Sequence, residues 1–204
     1  MKERNVIQLD INNLVYNGIG PFNFSIDQNE CLGLSGPSGS GKSLMLRALA
    51  DLDPHDGRVS FGGVEATRIR PEEWRRRVGL LPAESHWWGD TVKDHFRLPD
   101  NSLLQQVGFD ESVLNWSVSR LSSGEKQRLA IVRLLANKPD VLLLDEPTAN
   151  LDKTNIRKVE ELFDRYKREH RASIFWVSHD PDQIHRVASR CYFLDHGQLL
   201  PGDR

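Results

Sequence analysis

The sequence predicts an α/β fold with a mostly parallel core sheet, an antiparallel β part at its N-terminal end and an inserted α-helical subdomain. Three observations predict it. Val141-Leu142-Leu143-Leu144 and Ile174 to Val177 are unbroken apolar runs, as strands buried on both faces of a parallel sheet require. Helical periodicity alternates with such runs, the pattern of strands joined by crossover helices. A glycine-rich loop, Gly36 to Ser43, lies between the apolar run Leu32-Gly33-Leu34 and a helical pattern.

The N-terminal β part rests on alternation. Val6 to Asn12 sets Val6, Gln8 and Asp10 against Ile7, Leu9 and Ile11, and Phe22, Phe24 and Ile26 repeat the pattern. Asn17-Gly18 and Gly20-Pro21 supply turns between the two strands. Tyr16 lies between them. Spacing leaves it open between stacking on a purine and packing as an edge or core tyrosine. The helix opening near Lys42 ends near Asp53-Pro54. Asp56-Gly57 is a hairpin signal, followed by a strand over Arg58 to Phe61 and by Gly62-Gly63. Pro71-Glu72-Glu73-Trp74 starts a helix, with proline and acids in its first turn. Val78 to Leu81 is a short strand ending at Pro82.

Residues 83–120 change character. They carry Trp87, Trp88, Phe96, Phe109 and Trp116, little strand pattern, and helical stretches over Asp100 to Val107 and Asp110 to Leu114. Adjacent residues seldom both face inward, so one of Trp87 and Trp88 is expected in local core and the other exposed. Leu121-Ser122-Ser123-Gly124-Glu125 opens the next helix, with Ser122 and Glu125 in capping-box spacing. Its apolar face is Leu129, Val132, Leu135 and Ala136, and Asn137-Lys138-Pro139 stops it. After the first buried run, Ile156, Val159, Phe163 and Tyr166 mark an amphipathic helix. A short helix from Pro181 to Ala188 and a hairpin around His196-Gly197 finish the chain. The expected organisation is one domain over 1–204, with a core of 1–82 and 138–204 and a helical subdomain over about 83–137.

Composition narrows the function classes. With 38% hydrophobic and 27% charged residues, the chain reads as a soluble globular protein. A net charge of −2 gives no reason to expect nucleic acid as a partner. The basic clusters Arg68, Arg70, Arg75, Arg76, Arg77 and Arg165, Lys167, Arg168, His170, Arg171 read as solvated faces, the first with a lipid or partner contact as the other reading. The two cysteines make no zinc pattern, and both sit in apolar, strand-like runs as reduced thiols. Met1 to Asp10 lacks the apolar core of a signal peptide, and no apolar run is long enough to span a bilayer. A cytoplasmic location is expected, so any membrane role needs another polypeptide.

The chemistry gathers at the predicted carboxyl ends of strands, where open α/β sheets bind ligands. Gly36 to Ser43 matches G-x-x-x-x-G-K-[ST]. Its glycines let backbone N–H groups converge on an anion, and the following helix adds its positive N-terminal end. Lys42 is placed to reach β- and γ-phosphates, and the Ser43 hydroxyl to ligate Mg²⁺. Asp145 follows a buried strand and suits Mg²⁺. Glu146 can accept a proton from an attacking water. His179 follows the second buried strand and is placed for a γ-phosphate contact.

These residues together resemble the ATP-binding-cassette (ABC) ATPases, over nearly the whole chain. Gly36 to Ser43 matches that family's Walker A motif, and Val141 to Glu146 its Walker B motif with the catalytic glutamate. Leu121-Ser122-Ser123-Gly124-Glu125 resembles the signature L-S-G-G-Q, Ala149-Asn150-Leu151-Asp152 the D-loop, and His179 the switch histidine. The resemblance implies a P-loop NTPase fold and an ATPase that powers a separate transmembrane permease from the cytoplasmic face of the membrane. ATP would be held by Tyr16 on adenine, by Gly36, Ser38, Gly39, Ser40, Gly41, Lys42, Ser43 and Leu44, and by Ser122, Ser123, Gly124 and Glu125 of a second copy closing head to tail. Glu146, His179 and Lys42 would be catalytic. The compact chain and Gly89-Asp90-Thr91-Val92 resemble small bacterial systems of the iron- or metal-export type.

Three positions depart from the family pattern. Ala83 stands after Pro82 where a glutamine that touches Mg²⁺ is usual, and Glu84 is expected to take over in part. Leu44 replaces a threonine, and Ser123 replaces the first signature glycine. Two other classes compete. A soluble mechanical ABC ATPase acting on DNA or ribosomes usually carries long coiled coils or tandem cassettes, which this chain lacks. A degenerate nucleotide-binding regulator fits Ala83 but not Glu146 and His179.

Overall fold

The computed structural model describes residues 7–97 and 99–202. Val6, with which the alternating pattern begins, lies outside the described residues. Two sheets form. In the first, β1 (Ile7–Tyr16), β2 (Ile19–Asp27), β4 (Asp56–Phe61) and β5 (Val64–Glu65) pair antiparallel in the order β2-β1-β4-β5. In the second, β3 (Cys31–Ser35), β6 (Val78–Leu81), β7 (Val141–Asp145), β8 (Ser173–Val177), β9 (Arg190–Asp195) and β10 (Gln198–Pro201) run in the order β10-β9-β3-β8-β7-β6. Every neighbouring pair there is parallel except the terminal hairpin β9-β10.

The buried runs explain the layering. Leu142, Leu144, Ile174 and Trp176 join one core cluster, while Val141, Leu143, Phe175 and Val177 join another. Each strand thus feeds both faces of the sheet, which is why its sequence does not alternate. One face is covered by the antiparallel sheet, α1 (Lys42–Leu49) and α2 (Pro71–Arg77). Trp74 of α2 is buried there and donates its indole N–H to the Leu49 carbonyl at 3.0 Å. The other face is covered by α4 (Ser123–Leu135), α5 (Lys153–His170) and the segment before α4, which contains α3 (Asn101–Gln106). Among the fully buried side chains, each Leu or Phe contributes ~1.5–3 kcal/mol. After β8 comes α6 (Pro181–Val187), packed on β3.

Three expectations change. First, β1 does not stop at Asn12. A register irregularity between Ile11 and Leu14, with Asn13 at φ 53°, resets the alternation so that Ile11, Leu14 and Tyr16 are all buried. Second, Asp56-Gly57 is no hairpin turn. Both residues lie inside β4, and a Cβ on Gly57 (φ 86°) would meet the Asn13 carbonyl oxygen at 2.2 Å. The glycine lets β4 approach the irregular part of β1, and the tight turn is Gly62-Gly63. Third, the stretch Asp110 to Leu114 is a 3₁₀ turn over Glu111–Asn115 rather than an α-helix. The Asp110 carboxylate accepts from the Ser112 N–H at 2.7 Å and caps that turn locally.

Candidate functional site

A cavity of about 470 Å³ opens at the carboxyl ends of four strands of the parallel sheet. The loop after β3 contributes Gly36, Ser38, Gly39 and Gly41, and α1 contributes Lys42, Ser43 and Leu44. Ala83 enters after β6, Asp145 and Glu146 from the end of β7, and His179 after β8. Parallel pairing in one register puts these ends side by side, so residues more than a hundred positions apart in sequence share one opening.

The loop is held by its own lysine. Lys42 Nζ donates to the carbonyl oxygens of Gly36 and Pro37, both at 2.8 Å, and approaches Ser40 Oγ at 3.5 Å. Partial burial pulls its pKa below the usual lysine value, against the raising influence of Glu146 and Asp145. Gly41 caps α1 at φ 102°, and a Cβ there would press on Ile19 at 3.1 Å and Tyr16 Oη at 3.4 Å. No side chain caps the first turn of α1, whose residues Lys42, Ser43 and Leu44 line the cavity, an arrangement suited to an anion.

Across the cavity stand an acid pair and a histidine. Asp145 ends β7 and is 6% exposed. Glu146 turns out of the strand at φ 48°, its N–H donating to Val177 at 3.1 Å. Its Oε2 lies 3.0 Å from His179 Nδ1, with the histidine side chain 79% exposed and the glutamate 20%. A carboxylate beside an open imidazole can accept a proton from water and hold the resulting charge.

Two expected site residues, Tyr16 and Glu84, lie outside the cavity lining. Tyr16 presents no ring face to a purine. It is 2% exposed, packs on Phe22 with ring centroids 5.7 Å apart, and sits beneath Gly41. Burial raises its pKa, and its hydroxyl has no hydrogen-bond partner. The cause is the reset alternation of β1, which turns Tyr16 into the core. Glu84 is exposed and lies outside the cavity lining, where its neighbour Ala83 stands.

Ser122, Ser123, Gly124 and Glu125 do not line the cavity. They begin α4 on another surface, with Ser122 and Ser123 exposed. Ser122 and Glu125 form a complete capping box. The Glu125 carboxylate accepts from Ser122 N–H at 2.8 Å and Ser122 O–H at 2.9 Å, and these bonds hold its pKa below the ordinary value. A Cβ on Gly124 would meet the Asn150 carbonyl oxygen at 2.8 Å, so the loop between β7 and α5 lies against this helix start.

Sequence reasoning missed two buried amides around Glu146. Gln127 of α4 is 4% exposed and Gln183 of α6 is 2% exposed. Gln127 Nε2 donates to Pro147 O at 3.3 Å, and Gln183 Nε2 donates to Thr148 Oγ1 at 2.9 Å. The available signal for Gln127 was its place three and four residues before Ala130 and Ile131, on a helix face that is buried.

A second surface lies beyond β6. Trp87 packs against the core while Trp88 is 74% exposed. Both rings meet His95 edge-on at 4.7 and 4.6 Å, and Arg133 lies over them at 4.8 and 5.2 Å. His95 Nε2 accepts from the N–H groups of Trp88 and Gly89, both at 2.9 Å. Beside this stack, a cavity of about 560 Å³ is lined by Leu80, Pro82, Trp88, His95 and Arg133 among others.

Known proteins with this arrangement place the chain. The family model for ABC transporters matches residues 19–149. The chain is 37% identical over 178 residues to the probable iron export ATP-binding protein FetA of Escherichia coli, covering 81% of this chain and 79% of that protein. It is 36% identical over 203 residues to the phosphate import ATP-binding protein PstB of Saccharolobus solfataricus, covering 86% and 77%. A solved ATP-binding subunit of an ABC transporter superposes with a TM-score of 0.87 at 24% identity, covering 96% of this chain and 89% of that one, which shows the shared P-loop NTPase fold. This chain belongs to the ABC transporter family and is one of its ATP-binding subunits.

Proposed function

We propose that the chain hydrolyses ATP at the cavity behind Gly36 to Ser43, with Mg²⁺, and that hydrolysis requires a second copy closing head to tail. The pairing of Glu146 with His179 at 3.0 Å, facing Lys42 in one cavity, carries this reading. The loop N–H groups and Lys42 receive the phosphates, Lys42 exchanging its carbonyl partners for phosphate oxygens. Glu146 takes a proton from water, and His179 holds the transferring phosphoryl group. Ser43 and Asp145 offer a hydroxyl and a carboxylate in the same cavity. These hard oxygens suit Mg²⁺, which is held by one or two protein groups with water and substrate phosphates completing its shell. When bound, Mg²⁺ neutralises phosphate charge.

Two separated surfaces support the head-to-tail copy. The start of α4 lies at the surface, with Ser122 and Ser123 exposed, and its own chain's cavity does not use it. A second copy brings it to the γ-phosphate. Residues 1–82 and 138–204 then act as the nucleotide-binding core, and about 83–137 as the subdomain that carries the signature. The permease docks at Glu84 to Asp94, with exposed Trp88 and the neighbouring cavity as its contact. Among the described residues no helix is long and apolar enough to cross a membrane; the role of its relatives as ATP-binding subunits supports peripheral work at the cytoplasmic face. The test is Mg²⁺-dependent ATPase activity of the wild type and Glu146→Gln. The substitution is expected to lower turnover by roughly 10²–10⁴-fold, the worth of a positioned general base, and to trap an ATP-bound dimer visible by size-exclusion chromatography. Equal rates in the two proteins overturn the proposal and favour a regulator without hydrolysis.

A further inference from the structure

We infer that Gln127 is a positioning residue through which the segment after β6 controls the placement of Glu146; the inference rests on the ATPase reading above. The observation is a continuous polar connection. Ser85 Oγ donates to Gln127 Oε1 at 3.3 Å, and Gln127 Nε2 donates to the Pro147 carbonyl at 3.3 Å. Pro147 follows Glu146 directly. Ser85 lies two residues beyond Ala83, which lines the nucleotide cavity, and three before exposed Trp88. The amide therefore stands between the outward-facing segment and the loop that carries the general base.

The chemistry requires an amide. One end must accept from a hydroxyl and the other must donate to a carbonyl. A glutamate would set an oxygen against the Pro147 carbonyl, and a methionine would leave both partners without a bond. Burying an amide is costly unless it is bonded, and at 4% exposure an aliphatic side chain would pack there without that cost. Ala83 has no polar side-chain atom to make such a link, and Glu84 is exposed and outside the cavity lining. Arg133, two helical turns along α4, anchors the same segment by donating to His86 O at 3.1 Å. On its other side the Glu146 loop is held by the Gln183–Thr148 bond. A shift of the segment thus pulls on one side of a loop whose other side is pinned.

The experiment compares wild type, Gln127→Met and Ser85→Ala by ATPase kinetics, thermal unfolding and deuterium exchange of residues 83–90 with and without a non-hydrolysable ATP analogue. In the wild type the analogue is expected to change exchange over 83–90. In Gln127→Met, kcat is expected to fall roughly two- to tenfold, the scale of one hydrogen bond expressed in the transition state, with KM for ATP within twofold and the exchange response lost. Ser85→Ala, at a half-buried surface position, lowers kcat similarly, and the double variant is no worse than Gln127→Met alone. Unchanged kcat in Ser85→Ala, effects that multiply in the double variant, or a wild-type segment that ignores bound analogue overturns the inference while leaving the ATPase reading intact. Failure of the wild type to bind the analogue overturns both.

Discussion

The start of α1 and the start of α4 are both serine- and glycine-bearing helix N-termini, yet they face opposite requirements. The first is capped by Gly41 without a side chain, and no acid lies in its first turn. Its first residues, Lys42, Ser43 and Leu44, line a cavity shared with Asp145, Glu146 and His179. The second is finished by its own side chains, Ser122 and Glu125, and looks outward. An N-terminus without a side-chain cap, beside a lysine that clamps its loop, suits an anion within its own chain. A capped one on the surface is a rigid presenting edge for something brought to it. Two unlike ends, each lacking what the other has, are what the proposed head-to-tail closure of two copies would use.

The sharpest break of this contrast is Lys42→Ala. It removes the clamp and the phosphate partner together, and ATPase activity is expected to fall by roughly 10²–10³-fold with loss of nucleotide binding in the monomer, measured by fluorescent-nucleotide titration. Gly124→Ala probes the other end. Its methyl group meets the Asn150 carbonyl at 2.8 Å and must displace the helix start. Turnover is expected to fall roughly tenfold, below the ~10²-fold of a 1 Å misplacement, while monomer nucleotide affinity stays unchanged. Equal loss of affinity in both variants would dissolve the distinction. Ser122→Ala removes the cap and is expected to cost ~1 kcal/mol of stability, read from urea denaturation, with nucleotide affinity again unaltered. The smallest effect is with pH. Hydrogen bonds from Ser122 hold the Glu125 carboxyl below its ordinary value in the folded chain. That contribution is complete above the ordinary glutamate range and is lost as pH falls through the depressed folded value. Acidification should therefore fray α4 at its N-terminus before α1, which has no such acid, as hydrogen exchange of the two first turns will show.

Much of this contrast was legible before any coordinates. The unbroken runs at β7 and β8, the glycine-rich loop and the Ser122–Glu125 spacing are local patterns whose consequences stay local. That one of Trp87 and Trp88 is exposed followed from adjacency, whereas the packing decided that it is Trp88. Tyr16 was not legible. Its inward orientation depends on the irregularity at Asn13 and on Gly57 of a strand more than forty residues away. Glu84 lies outside the cavity lining that Ala83 enters, and which of two neighbours enters a cavity depends on how β6 ends against β7, not on its own composition. Gln127 and Gln183 looked like ordinary polar helix residues until their partners, Pro147 and Thr148, came from other elements.

What the sequence by itself determined, then, is the set of elements, their caps and the chemical groups at their ends, because periodicity, capping and turn formation act over a few residues. What only the tertiary structure decided is which of those groups meet. Parallel pairing set Lys42, Asp145, Glu146 and His179 around one opening, a bulge withdrew Tyr16 from it, and the packing of α4 left Ser122 and Ser123 facing outward. Register and packing couple residues distant in the chain, and a shift of one position in a strand exchanges its inner and outer faces.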